Sequence, residues 1–230
     1  PAAARTAKTR LDPIEADSAR CGPTHDRGGY RRCMADEEIQ ELGREGVGKV
    51  KAWLEATTWM RLPYNAYEDG PRCKVVHASG AKKFDLRGHF LGDKASRREL
   101  TIECKKYSSA GIQSKEFKRF IAIAYGATKK QIAEKGEWRE DYMWVTFHPF
   151  LVTDWSTLTS YANVLEVLRD PDHLEFVGEE DIDEEVARSV ADSVWLLVLN
   201  EKQLDVALTP EELAQVHTVL KREGNPLWSN

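Results

Sequence analysis

The stretch Lys82–Lys106, KKFDLRGHFLGDKASRRELTIECKK, decides how this chain is read. It divides into two short strand-like runs joined by a polar loop. In the first, Lys82-Lys83-Phe84-Asp85-Leu86-Arg87-Gly88, one carboxylate sits among apolar neighbours. In the second, Glu99–Lys106, the residues Leu100, Ile102 and Cys104 alternate with Thr101, Glu103 and Lys105. A strand points successive side chains to opposite faces, so Glu103 and Lys105 share a face. Two acids on neighbouring strands, with a lysine two residues after the second, can hold a hard divalent cation through oxygen. They also keep an ammonium beside the water that such an ion activates.

The spacing D-x17-E-x-K in this setting resembles the PD-(D/E)XK nuclease superfamily, the restriction-endonuclease-like fold. The resemblance covers Glu37 to Pro149, about half the chain. It implies an α/β protein with an αβββαβ core, a central mixed sheet flanked by helices, plus a C-terminal α/β extension. In that family the two acids bind magnesium, the carbonyl between E and K often joins them, and the lysine orients or activates the attacking water. Here those residues are Asp85, Glu103, the Cys104 carbonyl and Lys105, with Mg2+ or Mn2+ as the implied cofactor. Phe84 stands where the family's motif has proline. Some branches also turn a first-helix glutamate toward the metal, and Glu45 in Gly43-Arg44-Glu45-Gly46 is similar. Read from its own spacing, Glu45 is equally an i,i+4 partner for Lys49.

Composition sets the outer bounds. The chain has 230 residues, enough for one large domain or a core with an added part. Hydrophobic residues are 41% and charged residues 31%, so a globular protein in an aqueous compartment is expected. No run reaches the roughly 20 apolar residues of a membrane span, and the N-terminus lacks an apolar signal core; a cytoplasmic location with no membrane partner is the expectation. The cysteines Cys21, Cys33, Cys73 and Cys104 are too irregular for a disulfide scaffold. Cys21, His25 and Cys33 match no common zinc spacing.

Net charge is −5, yet it is segregated. Arg72 to Lys130 holds 15 Lys and Arg against 5 Asp and Glu, a balance of +10. Leu151 to the end holds 5 against 17, a balance of −12. A basic middle around the motif suits a phosphate backbone, while the acidic end can limit indiscriminate binding or face a partner protein or a second copy.

Taken in order, residues 1–33 have almost no apolar periodicity and read as a flexible tail, leaving 34–150 as the core and 151–230 as an acidic extension that completes the sheet or forms a small subdomain. Asp36 to Ala56 reads as a helix, with Ile39, Leu42, Val50, Trp53 and Leu54 on one face. Trp59–Tyr67 and Arg72–Ala78 are strand-like and would join the two motif strands in a meander. A helix from about Ile112 to Lys135 has Phe117, Phe120, Ile121 and Ala124 inward, and Lys115, Lys118, Arg119, Lys129 and Lys130 opposite. Its N-terminal residues Gln113 and Lys115 are expected at nucleic acid because the corresponding helix of related nucleases approaches DNA. Lys83, Arg87 and Lys106 are expected there too. Asp141–Phe150 reads as a strand beside the E-x-K strand, followed by a helix at Leu158–Arg169, a strand at Val194–Asn200 and a helix beginning at Thr209-Pro210-Glu211-Glu212. His77 and His89 flank the motif but carry no assigned role.

The function expected from this reading is metal-dependent hydrolysis of DNA phosphodiester bonds, with endonuclease as the expected mode and restriction or bacterial defence as one setting; nothing in the residues separates this from repair. Two rivals stand beside it. One is a non-catalytic nucleic-acid-binding or assembly module of the same fold. The other is a structural cross-strand salt bridge in an unrelated α/β protein.

Overall fold

The computed structural model describes residues 27–91, 98–106, 111–137, 140–178 and 181–219, with side chains from residue 41 onward except His217. The expected tail before residue 27, with Cys21 and His25, lies outside them, as do residues 92–97, where the polar loop of the motif is expected, and residues 107–110. The chain divides into Pro1–Glu37, described only as the opening of a helix, and Glu38–Asn230, which carries everything that follows.

The alternation read from the E-x-K run builds the centre of the molecule. Strand β5, Glu99–Lys105, buries Leu100 and Ile102 on one face and Thr101 and Glu103 on the other. Beside it run β4, Leu86–Phe90, antiparallel, and β6, Glu140–Thr146, parallel. Strand β1, Met60–Asn65, pairs antiparallel with β4, and β7, Val194–Val198, pairs parallel with β6. The sheet order β1-β4-β5-β6-β7 is therefore mixed, and helices cover both faces.

On one face lies the C-terminal part of α1 (Arg27–Thr57), whose Val47, Val50 and Leu54 pack with Leu62, Leu86, Leu100, Ile102 and Met143. The helix starts earlier than its periodicity predicts, taking in part of the expected tail, and Leu42 is exposed rather than in the apolar stripe. The other face receives α2, Gln113–Lys135. Here Phe117 and Phe120 meet Trp144 at ring distances of 5.6 and 5.5 Å. Residues 120–128 of α2 are buried all round, beyond the single face expected, because a further layer covers the helix. That layer is α3 (Tyr161–Arg169), α4 (Leu174–Val177) and α5 (Glu184–Ser193), which contribute Val164, Val167, Phe176, Val186 and Val190 to the same core. Gly126 makes room for it, since a Cβ there would meet the Phe176 carbonyl oxygen at 2.3 Å. Helix α2 ends at Gly136, left-handed at φ 72°, whose N–H donates to the Ile132 carbonyl.

Four expectations need correction. The run Lys82–Gly88 is not one strand. Its first part belongs to β3, Gly80–Lys83, paired with β2, Lys74–His77, in a separate two-stranded sheet, and the central sheet resumes only at Leu86. Phe84 causes the break: it is fully buried edge-on to Phe120 while its N–H donates to the Cys73 carbonyl, so the chain turns off the hairpin there. For the same reason β2 does not enter the expected meander. The strand expected to reach Phe150 ends at Thr146, and the helix expected from Leu158 starts at Tyr161, with Ser160 accepting from the Asn163 N–H as its cap.

The segment after residue 150 supplies β7 to the sheet. It closes with α6, Glu201–Leu204, and α7, Pro210–Val219, where Thr209 and Glu212 exchange the two hydrogen bonds of a capping box. No helix among the described residues is long and apolar enough to cross a membrane.

Gly88 in β4 faces an irregularity in β1 between Arg61 and Tyr64, and a Cβ there would lie 1.9 Å from the Arg61 carbonyl oxygen. Backbone has little freedom to yield, so Gly88→Ala is expected to destabilise the protein by about 1–3 kcal/mol, at the upper end, as read from the urea midpoint.

Candidate active site

The switch between hairpin and sheet places Asp85 against β5. Its N–H donates to the Ile102 carbonyl at 3.0 Å, and its Oδ2 accepts the Cys104 N–H at 2.7 Å. Within a strand a residue's N–H and C=O point to the same edge, so the Cys104 carbonyl also opens toward Asp85. Glu103 and Lys105 project from the α2 face of β5, beside their parallel neighbours Trp144 and Thr146. Lys105 Nζ lies 3.0 Å from Glu103 Oε1, 3.2 Å from Glu116 Oε2, and 5.6 Å from the centre of the Trp144 ring. Asp85, just before β4, and the motif residues of β5 are thus brought side by side.

Glu103 is only 5% exposed. Its Oε1 takes a second cation that the motif does not include: Lys82 Nζ, from β3, at 3.0 Å. Its Oε2 is buried without a hydrogen-bond partner. Asp85 is half-buried, and its carboxyl is pushed up to about 6, first by burial and then by the neighbouring Glu103 charge, against the pull of the Cys104 N–H and of Lys105 and Lys82. Burial also drives the Cys104 thiol well above its usual range, which makes that side chain an inert packing group.

Other expected residues are placed as follows. Glu45 is exposed and lies between Lys49 and Lys106, 3.2 Å from the latter, and both lysines hold its carboxyl below the usual range. It therefore stands beside Lys106, the residue after Lys105, already neutralised by its i,i+4 partner. Gln113, expected at nucleic acid, is fully buried: it accepts from the Thr146 hydroxyl at 2.6 Å and donates to the His148 carbonyl at 3.1 Å. It clamps the start of α2 to the end of β6 and has no surface to offer. Arg87 is likewise turned inward, toward Glu99, 3.5 Å from Glu140, and donating to the Lys74 carbonyl at 3.3 Å. Lys115 is exposed 3.8 Å from Asp172, and Lys83 is exposed on the hairpin. His77 stacks edge-on with Phe176 in the α2 layer, away from any motif residue.

Sequence reasoning missed Lys82 and Glu116. Lys82 lies three residues before Asp85, and Glu116 one turn into α2. Only the fold brings them to Glu103 and Lys105, so spacing carries no signal for either.

A divalent ion fits this donor set. The buried, unpartnered Glu103 Oε2, the second carboxylate of Asp85 and the Cys104 carbonyl are hard oxygens at one strand end, and burial together with the Glu103 charge raises the cost of ionising Asp85, which a cation would offset. Among the described residues no three His, Cys, Asp or Glu side chains converge as a metal cage. Magnesium does not require one, since it is commonly held by one or two carboxylates, with water and substrate phosphate supplying the rest.

No protein-family model matches the chain, and no curated protein sequence matches it. Similar solved structures include the Cap4 SAVED/CARF-domain containing receptor of Moraxella osloensis, 14% identical, with a TM-score of 0.30 over 74% of this chain and 38% of the receptor. The corresponding Acinetobacter baumannii receptor gives 14% identity and a TM-score of 0.29, over 74% of this chain and 38% of the receptor. The chain thus spans well under half the length of these receptors, and the site is read from its own residues.

A pH dependence follows from Asp85. Its carboxyl ionises near pH 3.8 when unperturbed and near 6 in the fold, so between these values the folded chain binds more protons than the unfolded one. The metal-free protein is expected to be most stable below about pH 4 with respect to this group and to lose that stability as pH rises through 6. Asp85→Asn should flatten this slope in denaturant melts taken across the window.

Proposed function

We propose that the chain is a divalent-metal-dependent nuclease of the PD-(D/E)XK type, hydrolysing DNA phosphodiester bonds. The observation that carries the reading is the 2.7 Å hydrogen bond from the Cys104 N–H to Asp85, which fixes one acid at the residue between Glu103 and Lys105. The element order supports it as well: α1, β1, β4, β5, α2 and β6 correspond to an αβββαβ core, with β2–β3 as an insertion.

Asp85, Glu103 and the Cys104 carbonyl would hold the ion. When bound, it neutralises phosphate charge, lowers the pKa of water and stabilises the leaving oxygen. Lys105, held between Glu103 and Glu116, can orient a water by donating a hydrogen bond to it while its charge offsets that of the phosphate. Trp144 and the α2 layer keep one side of the site dry, which strengthens each of these interactions.

One observation favours a second reading. Glu103 already has two lysines at 3.0 Å, as a structural ion-pair cluster would. Removing one partner of a buried pair typically costs about 3–5 kcal/mol, so in that case substitutions would appear in unfolding and wild-type protein would not cut.

Supercoiled plasmid incubated with Mg2+, Mn2+ or EDTA separates the two. Wild-type protein is expected to nick or linearise DNA only with metal. Glu103→Gln and Lys105→Ala should each lower the rate by roughly 10²–10⁴-fold while melting close to the wild type. Metal-independent inertness of the wild type, with variants that unfold early, would establish the ion-pair reading instead.

A further inference from the structure

Lys82 enters the site from outside the central sheet. It lies on β3 of the hairpin, its Nζ stands 5.4 Å from the centre of the Phe84 ring, and the same Nζ reaches the Glu103 oxygen that also receives Lys105. The two lysines are not equivalent. Lys105 has Glu116 as a second carboxylate at 3.2 Å, so it can leave Glu103 without becoming an unpaired cation. The hydrogen bond from Lys82 and the ion pair with Lys105, both on Oε1, restrict rotation of the buried carboxylate and set the direction of Oε2, the oxygen without a partner.

Resting on the nuclease reading, we propose that Lys82 is a positioning residue. It holds Glu103 by Oε1 so that Oε2 stays turned to the divalent cation, and it remains there when Lys105 is drawn to water or phosphate. Without Lys82, Lys105 would be the one ion-pair partner left, among the described residues, to a carboxylate that is 5% exposed, and leaving it would expose the full cost of an uncompensated buried charge. The lysine that acts in the reaction would then be held back by its structural duty. Lys82 removes that conflict.

A simpler role, strapping the hairpin to the sheet, is already filled by other contacts. Val75 is buried in the α2 core, the Phe84 N–H donates to the Cys73 carbonyl at 2.9 Å, and Arg87 donates to the Lys74 carbonyl at 3.3 Å.

The test uses the full chain and two readouts: Mn2+ binding, followed by the electron paramagnetic resonance of free Mn2+, and steady-state plasmid nicking. Lys82→Met keeps an unbranched apolar side chain and removes the charge. It is expected to weaken Mn2+ binding by roughly 10–100-fold and lower kcat by a similar factor, with KM for DNA little changed. Lys82→Arg should recover most of both losses. His77→Ala, which loosens the hairpin by removing its edge contact with Phe176 and lies opposite Gly80 rather than Lys82, should keep wild-type Mn2+ affinity at a temperature where it is folded. Wild-type affinity and kcat in Lys82→Met would overturn this inference and leave the nuclease reading standing, and so would a His77→Ala variant that loses as much as Lys82→Met. A wild-type protein that neither binds Mn2+ nor cuts would end both.

Discussion

The fold and the site both depend on how Asp85 replaces a missing strand neighbour. Antiparallel pairing of β4 with β5 runs only as far as Leu86 and Ile102, after which the chain turns off toward the hairpin. Past that point the Cys104 N–H would lose its partner. The Asp85 side chain takes it, while the backbone of Asp85 bonds Ile102 on one side and receives the Ala66 N–H on the other. A hydrogen bond to a charged group is worth about 1.5–3 kcal/mol, so the acid is tied to its place by the same contact that finishes the sheet. The consequence is chemical. A carboxylate fixed in a half-buried position beside Glu103 ionises reluctantly, and its charge becomes available where a cation can be met.

Charge is distributed in space differently from its distribution along the chain. The acidic end does not stand apart from the basic middle: Asp172 lies 3.8 Å from Lys115, and Glu166 lies 4.0 Å from Lys118. These pairs are exposed, and each contributes at most about 1 kcal/mol. They matter more by lowering the positive field along α2. Exposed cations also stand on and beside the hairpin, at Arg72, Lys74 and Lys83. Arg72 is shared there with Asp69 and the Tyr64 ring.

What could be read from the chain is what strict local periods encode. The alternation in β5 assigned Glu103 and Lys105 to one face, and Thr209-Pro210-Glu211-Glu212 marked a helix start; both are present. What could not be read depends on partners distant in sequence. Alternation says which residues share a face but not which sheet a run joins, so the break at Phe84–Asp85, set by the burial of Phe84 against Phe120, was invisible. Lys82 and Glu116 are at the site through that same break and through the packing of α2. Gln113 and Arg87 looked like surface polar residues, because a single polar side chain has the same letter whether it is solvated or satisfied inside.

Strand β6 is buried along its whole length, and β7 pairs with it from 48 residues further on. A chain emerging from synthesis would therefore present Tyr142-Met143-Trp144-Val145 as an open apolar edge until α3, α4 and α5 had formed and β7 had arrived. A fragment stopping at Phe150, though it holds every motif residue, would keep that edge permanently. Such a piece would tend to associate through β6, and a minimal folded unit must extend through Leu199, whose N–H closes the last bond to Thr146.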